Sequence, residues 1–221
     1  MKIKFLAILI LGSLFFVGCV STKNVPVDDS DIDDFRNHTV AVPKRAVPDF
    51  AASTAGKASF GLIGAAAMIS EGNKIIEENE VEDPANYISE QLISALSDKY
   101  QLVHIDTNNS ELKSEDVKNI SRAFKDADYV LDVRTVNWSF IYFPTDWDNY
   151  RVIYSSKLRL IDTKKSMTIA EGFCSRVPEE DENSPSYDEL LSNNAERLKN
   201  ELRVSADHCI DHFKKNVFML Q

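Results

Sequence analysis

Few side chains in this sequence are of the types that carry out chemistry, and the first pair to consider is His208 with His212. The chain has only four histidines and three cysteines. Two histidines four residues apart lie on one face of a helix and can share a metal ion. However, the glutamate of the zinc-protease pattern is missing between them, and Cys209 beside them is better explained by a disulfide. We therefore predict no metal site, expect solvated histidines near a helix end, and keep this pair only as a minority alternative.

Other signatures of enzymes are missing from the sequence. There is no Gly-x-Ser-x-Gly motif to present a serine nucleophile and no glycine-rich loop to hold phosphates. The carboxylates are concentrated in residues 28–34 and 179–182, where solvation explains them simply. We therefore predict no catalytic residues, no cofactor and no enzyme activity. A dispersed acid pair is still compatible with the sequence, so a metal- or carboxylate-dependent periplasmic hydrolase is kept as an alternative.

The amino terminus has the pattern of a secretory signal peptide. Lys2 and Lys4 form a short positive region, and a mostly apolar run follows over residues 5–17. This run is shorter than the roughly 20 apolar residues that a membrane-spanning helix needs. The pattern therefore predicts export and not a membrane span.

The end of the leader carries a motif that is known from one class of exported proteins. The residues Phe-Val-Gly-Cys at 16–19 resemble the lipobox of bacterial lipoproteins, although that motif usually has leucine where Phe16 stands. The resemblance implies cleavage after residue 18 and acylation, with palmitate among the chains, of the Cys19 thiol. It also implies sorting to the outer membrane, on its periplasmic side, because Val20 and not aspartate follows the cysteine.

Cys174 and Cys209 are predicted to form a disulfide, since exported chains meet an oxidising compartment. Cys209 belongs to an apolar stripe with intervals of three or four residues, as on the buried face of a helix, and Cys174 lies near the end of a predicted strand. A bridge across a loop of this size adds about 3–4 kcal/mol in the loop-entropy model. Two free buried thiols are the alternative.

The mature chain is strongly acidic. Of 25 basic residues two lie in the leader, so 23 remain against 35 acidic ones and the formal charge is −12. Such a surface repels nucleic acid and anionic headgroups, so neither is expected as a partner. Residues 19–37 contain few apolar side chains and predict a lipidated acidic tether with a reach of roughly 60 Å. A single periplasmic domain is predicted over residues 38–216.

The order of predicted elements is strand, helix, strand, helix, three strands and a last helix. Residues 151–160 alternate between apolar and polar, as in a strand with one face in water. We predict an α+β fold, in which a mixed β-sheet with a three-strand antiparallel meander has helices packed on one face in two layers.

This element order is similar to the TolB amino-terminal-like fold. The similarity includes Ala-Asp-Tyr-Val-Leu at 127–131, which enters the meander, and Leu-Ile-Asp at 160–162, which ends its middle strand. That fold is shared by the curli-secretion lipoprotein and the lipoprotein that activates a penicillin-binding protein. The resemblance implies a binding or assembly factor and not an enzyme.

Two segments are candidates for contact with a partner. Residues 50–69 are rich in Gly and Ala and include Phe60, Leu62 and Ile63. This segment predicts an oligomer contact, a membrane-lying segment or a partner-docking helix. The alternative is a small-residue helix that packs on its own sheet. Residues 138–150 join two strands and hold more aromatic side chains than a turn requires. If those rings are exposed, the predicted contacts are Tyr142, Phe143 and Trp147; otherwise they cap the core.

These observations together favour a lipid-anchored, non-enzymatic protein that binds or assembles another envelope protein. Self-assembly into a ring or pore through residues 50–69, as a homo-oligomer, is the second hypothesis, and the hydrolase is the third.

Overall fold

The fold is a mixed β-sheet with helices packed against it. A computed structural model describes residues 23–107 and 111–220. The predicted signal peptide and Cys19 lie outside these residues. The helices are α1 (Asp29–Asp33), α2 (Ala55–Ala58), α3 (Gly61–Glu78), α4 (Pro84–Tyr100), α5 (Val117–Ala123) and α6 (Tyr187–Asn216). The strands are β1 (Thr39–Ala41), β2 (Ala51–Ser53), β3 (Val103–His104), β4 (Tyr129–Phe143), β5 (Asp146–Asp162) and β6 (Met167–Arg176).

The six strands form one open sheet, in which five follow the order β3-β1-β4-β5-β6 and β2 pairs with β4 beside this path. β1 lies parallel to β3 and to the start of β4, and β2 lies parallel to the far end of β4. β4, β5 and β6 form the antiparallel meander. The predicted α+β class, the mixed sheet and the meander are confirmed. β2 was not predicted, because its three residues lie inside the Gly/Ala-rich segment.

Helices cover both faces of the sheet, although unequally. Leu131 and Leu160 belong to the main core, which also contains the buried faces of α4 and α6. Their neighbours Val130 and Ile161 point to the opposite face, because side chains alternate along a strand, and pack with Ile120 of α5 in a second cluster. The prediction of helices on one face holds for the long helices, while α5 covers one end of the other face.

α6 is interrupted near its start. Asn193, Asn194 and Ala195 have φ values of 51°, 58° and 55°, in the left-handed region. Because of this interruption, the first turn of α6 directs a different side toward the core than an unbroken helix would. The predicted stripe begins at Leu191, whereas the structure buries Leu190 completely and leaves Leu191 half-buried. Beyond the interruption, the predicted stripe that includes Cys209 is buried.

The disulfide between Cys174 and Cys209 joins β6 to α6, with Cα atoms 5.5 Å apart. Both residues are buried in the main core. The predicted pairing is confirmed.

The predicted acidic tether is wrong for its described part. Val25 forms two backbone hydrogen bonds with Glu171 of β6, at 2.7 and 2.9 Å, and the Val27 N–H donates to the carbonyl oxygen of Val217 at 2.9 Å. Val27 is buried, as is Phe35 after α1. We call residues 24–27 the N-terminal strap. The folded domain therefore begins at or before residue 24 and not at residue 38; the sequence signal failed because these few apolar residues stand among many aspartates.

Candidate functional site

Three large apolar side chains are exposed together where α2 passes into α3. Phe60 is 70% exposed, Leu62 91% and Ile63 81%. Soluble proteins expose single apolar residues routinely, but a contiguous group of this kind marks a contact surface. We call these three residues the apolar tip, and they are among the contacts that the sequence predicted.

The rest of the Gly/Ala-rich segment belongs to the protein's own core. Phe50 is fully buried and packs edge-on against Trp138, with ring centroids 5.1 Å apart. A Cβ atom at Gly72 would overlap the carbonyl oxygen of Phe50, and one at Gly64 would overlap that of Lys57. The small residues at these two positions therefore let α3 approach β2 and α2 closely. Residues 50–69 thus combine a core strand with an exposed tip, which the sequence did not separate.

A polar cluster holds the base of the apolar tip. Lys57 of α2 forms an ion pair with Glu71 of α3, and the Tyr187 hydroxyl donates to Glu71 Oε1 at 2.7 Å. The Lys57 hydrogen bond lowers the pKa of Glu71, although burial opposes this shift. Burial, together with the bond to Glu71, raises the pKa of Tyr187. These contacts among α2, α3 and the start of α6 therefore hold in place the helices that carry the apolar tip.

The second candidate surface is the end of the β4–β5 hairpin. Trp147 is 66% exposed and lies edge-on to the half-buried Tyr142, with ring centroids 6.5 Å apart. Phe143 is only 3% exposed, and the Arg151 guanidinium lies 5.4 Å from its ring centroid. For Phe143 the condition of an exposed ring is not met, and the alternative, that the ring caps the core, agrees with its burial. Trp147 is the exposed member of the predicted set.

The apolar tip and the hairpin end lie at the same end of the sheet. Ser53 at the end of β2 pairs with Ile141, close to the hairpin turn. α3 then runs back along β2, with Gly72 against Phe50 and Ala52. The ten residues from Gly72 to Leu62 rise about 15 Å along the helix axis. This rise brings Leu62 to about the level of the hairpin turn.

The two histidines of the minority metal alternative differ in their surroundings, since His208 is exposed and His212 contacts the N-terminal strap. His212 is half-buried, and its Nε2 lies 3.0 Å from Nδ2 of Asn24 in the N-terminal strap. Burial, and then the charge of His208, lowers the pKa of His212. Within residues 23–107 and 111–220, no group of three or more His, Cys, Asp or Glu side chains could hold a metal ion. His212 serves to fasten the strap.

A buried ion triad was missed by the sequence reading. Asp132 accepts hydrogen bonds from Nε and Nη2 of Arg45, both at 2.8 Å, and from Nη2 of Arg159 at 2.6 Å. The side chain of Asp132 is 0% exposed and the two arginines are 11% and 10% exposed. Burial alone would raise the pKa of Asp132, but the hydrogen bonds and charges of the two arginines outweigh burial and hold it below its usual value. The triad ties β4 and β5 to the segment after β1.

A cavity of about 240 Å³ lies between the start of α4 and α6, with acidic and basic side chains in its walls. The Asp83 carboxylate at its edge accepts from the Ala85 N–H at 2.9 Å and from the Thr135 hydroxyl, and burial raises the pKa of Asp83. Arg203 lies over the Tyr87 ring at 3.3 Å. Asp83 is therefore the N-cap of α4, and its carboxylate is engaged in holding the start of this helix.

None of the helices in the described residues combines the length and the apolar character needed to cross a membrane.

The architecture defines this chain as an α+β protein with a mixed, open, six-stranded sheet. No protein-family model and no curated protein matches it. Among solved structures it is similar to lipoprotein GNA1162 from Neisseria meningitidis, with 14% identity over 76% of this chain and 99% of that one and a TM-score of 0.36. It is also similar to the hypothetical protein CT253 from Chlamydia trachomatis, with 10% identity over 81% of this chain and 94% of that one and a TM-score of 0.41. The LpoB C-terminal domain from Salmonella enterica is similar with 11% identity over 65% of this chain and 85% of that one and a TM-score of 0.33. These values are too low to transfer a function to this chain.

Proposed function

We propose that this protein is a lipid-anchored, non-enzymatic binding or assembly factor of the bacterial envelope, acting on another periplasmic or outer-membrane protein. The signal peptide and the lipobox resemblance at residues 16–19 support the anchor, with the outer membrane as its address because of Val20. The exposed Trp147 on the hairpin end carries the binding part of the proposal.

Trp147 has the surroundings that protein interfaces favour. Interface hot spots are enriched in tryptophan, tyrosine and arginine, and a polar rim surrounds them. The rim of this hairpin is acidic and ordered: the Thr145 hydroxyl donates to Glu180 at 2.6 Å, and Asp146 accepts from the Asp148 N–H at 3.0 Å. An exposed indole on such an end fits an apolar pocket with basic residues at its margin.

The anchor is tested by replacing its thiol. Cys19→Ser is expected to move the protein out of the membrane fraction, because without the thiol no acyl chain is attached. The measurement is membrane fractionation, together with mass spectrometry of the processed wild-type amino end. An unmodified wild-type end, or identical fractionation of the two forms, would contradict the anchor.

The partner surface is tested by placing a photo-crosslinking amino acid at position 147 in cells. The expected product is one specific envelope protein, and purified Trp147→Ala protein is expected to bind it about 30-fold more weakly, as for a hot-spot residue. The matched control places the crosslinker at Val204, which is 49% exposed on α6. Equal products from both positions, or an unchanged affinity of the Trp147→Ala protein, would contradict the proposal that Trp147 lies in the binding surface.

Self-assembly is the second candidate function, and one observation favours it. Next to the apolar tip, Ala65, Ala66 and Ala67 are also exposed on α3, so a second helix could approach closely there. Sizing of the detergent-extracted protein separates the two functions, since a single monomeric peak excludes a ring or pore.

A further inference from the structure

We propose that the apolar tip inserts into the lipid–water interface of the membrane that holds the Cys19 anchor, so that the domain contacts this membrane at two points. The inference rests on the proposed acylation of Cys19. The ligand it assigns to Phe60, Leu62 and Ile63 is a bilayer surface with zwitterionic headgroups.

The chemistry of the tip fits lipid better than a charged protein surface. Between Ala58 and Ser70 the sequence contains no charged side chain, whereas the neighbouring hairpin end is rimmed by carboxylates such as Asp146. Phe60, Leu62 and Ile63 are between 70% and 91% exposed, so insertion would remove nearly their whole apolar surface from water. The segment is too short to span a bilayer but long enough to enter its interface.

The backbone N–H groups at the start of α3 also favour an orientation in which the apolar tip faces the membrane. The N-cap position is Phe60, which provides no side-chain hydrogen bond to the first turn. The first backbone N–H groups of a helix need acceptors, and its positive end favours anions. Phosphate oxygens of phospholipid headgroups can supply such acceptors where the neighbouring side chains enter the apolar layer.

The N-terminal strap keeps the lipid anchor close to the domain. Asn24 accepts a hydrogen bond from the Phe173 N–H at 3.0 Å, and Val25 pairs antiparallel with Glu171. The backbone from Cys19 to Asn24 can span at most about 18 Å. The domain is therefore held next to its membrane, and not at the roughly 60 Å that a free tether to residue 37 would allow.

The strap also leads toward the end of the sheet that carries the apolar tip. Because the strap is antiparallel to β6, tracing it back from Val27 to Asn24 follows β6 toward Arg176. This direction points to the hairpin end, since β6 is antiparallel to β5. From Arg134, which pairs with Lys157 beside Phe173, to Phe143 at the turn, β4 rises roughly 30 Å. The segment from Asn24 back to Cys19 spans at most about 18 Å of this distance, so it can bring the acyl chains toward the end of the sheet that carries the tip.

The net charge selects the lipid. The mature chain has a formal charge of −12, and anionic headgroups would repel it. We therefore assign a zwitterionic, phosphatidylethanolamine-rich surface.

The test uses lipid-borne bromine, which quenches tryptophan fluorescence on contact. Leu62→Trp is made in a Trp147→Phe background, which leaves Trp138 as a buried constant signal at 1% exposure. The lipidated chain is reconstituted into phosphatidylethanolamine–phosphatidylcholine vesicles with brominated or ordinary acyl chains. An indole about 5–10 Å inside the interface lies among the bromines, so its emission is expected to fall roughly twofold. Met167→Trp in the same background is the matched control, because Met167 is 49% exposed and starts β6 at the opposite end of the sheet.

The outcomes separate this inference from the proposed function. Quenching at position 62 without quenching at position 167 supports insertion of the tip. Equal emission in both vesicle types, from a chain that floats with the vesicles, overturns the inference and leaves the anchor intact. Protection from aqueous acrylamide without quenching by bromine also overturns it, since a second copy or a protein partner then covers the tip. A chain that does not float contradicts the lipid anchor, and the inference falls with it.

Discussion

Replacing Asp132 by alanine is expected to lower the free energy of unfolding by about 3–5 kcal/mol, because a buried ion pair that loses one partner leaves uncompensated charge in the interior. The substitution leaves two buried arginines without their partner, since Arg45 and Arg159 both pair with the Asp132 carboxylate. The measurement is equilibrium urea unfolding of the purified protein near neutral pH.

The matched control for this prediction is Asp207→Ala. Asp207 pairs with Arg203 on the surface of α6, where the two side chains are 55% and 57% exposed, so its loss is expected to cost less than about 1 kcal/mol. Replacing Arg45, Asp132 and Arg159 together by apolar residues of similar volume is expected to be much milder than Asp132→Ala, because no charge is left unpaired. Equal effects of Asp132→Ala and Asp207→Ala would show that the triad does not stabilise the fold.

The triad also makes the free energy of unfolding depend on pH in the acid range. The pKa of Asp132 in the folded state lies below its usual value, whereas an unfolded aspartate titrates near about 3.9. The unfolded chain therefore binds a proton first as the pH falls. The stabilisation is fully present above about pH 4 and is lost as the pH falls through the lowered pKa of the folded state.

Removing the disulfide is the second large effect. The combined change Cys174→Ala and Cys209→Ala is expected to lower the free energy of unfolding by about 4 kcal/mol, because the bridge closes a loop with a sequence separation of 35 and restricts the unfolded chain. Two cavities left by sulfur atoms in a closely packed core act in the same direction. Thermal or urea unfolding under oxidising conditions measures the difference.

Reduction provides the control for this second prediction. A thiol reductant is expected to bring the wild-type protein close to the stability of the double variant, while the double variant itself should not respond. A wild-type protein that is indifferent to complete reduction would contradict a stabilising role for the bridge between β6 and α6.

The sequence predicted the strands of the meander better than their environment. Alternation along residues 151–160 marks a strand with two chemically different faces, but it does not say what covers the polar face. Asp132 and Arg159 are buried there because the backbone carbonyls of Leu112, Ser114 and Glu115 accept hydrogen bonds from the two arginines. Those partners come from a loop distant along the chain, so local periodicity could not predict the burial.

The candidate site was predictable in part for a similar reason. The charge-free run that contains Leu62 indicates a contact segment, and Leu62 is indeed highly exposed. Composition alone, however, does not distinguish Phe50, which is buried by Trp138 of β4, from Phe60, which has no such neighbour. On the hairpin, Phe143 and Trp147 are both aromatic residues near the turn, but Phe143 is buried next to Arg151 whereas Trp147 is exposed. In both cases the deciding contact is tertiary.

The N-terminal strap sets an order of events in the folding of a chain that is made from its amino end. Asn24 is made first, yet its partner His212 follows 188 residues later, and Val27 pairs with Val217. Docking of the strap is therefore complete only after the last helix has been made, so these amino-terminal contacts form late in the folding of the chain.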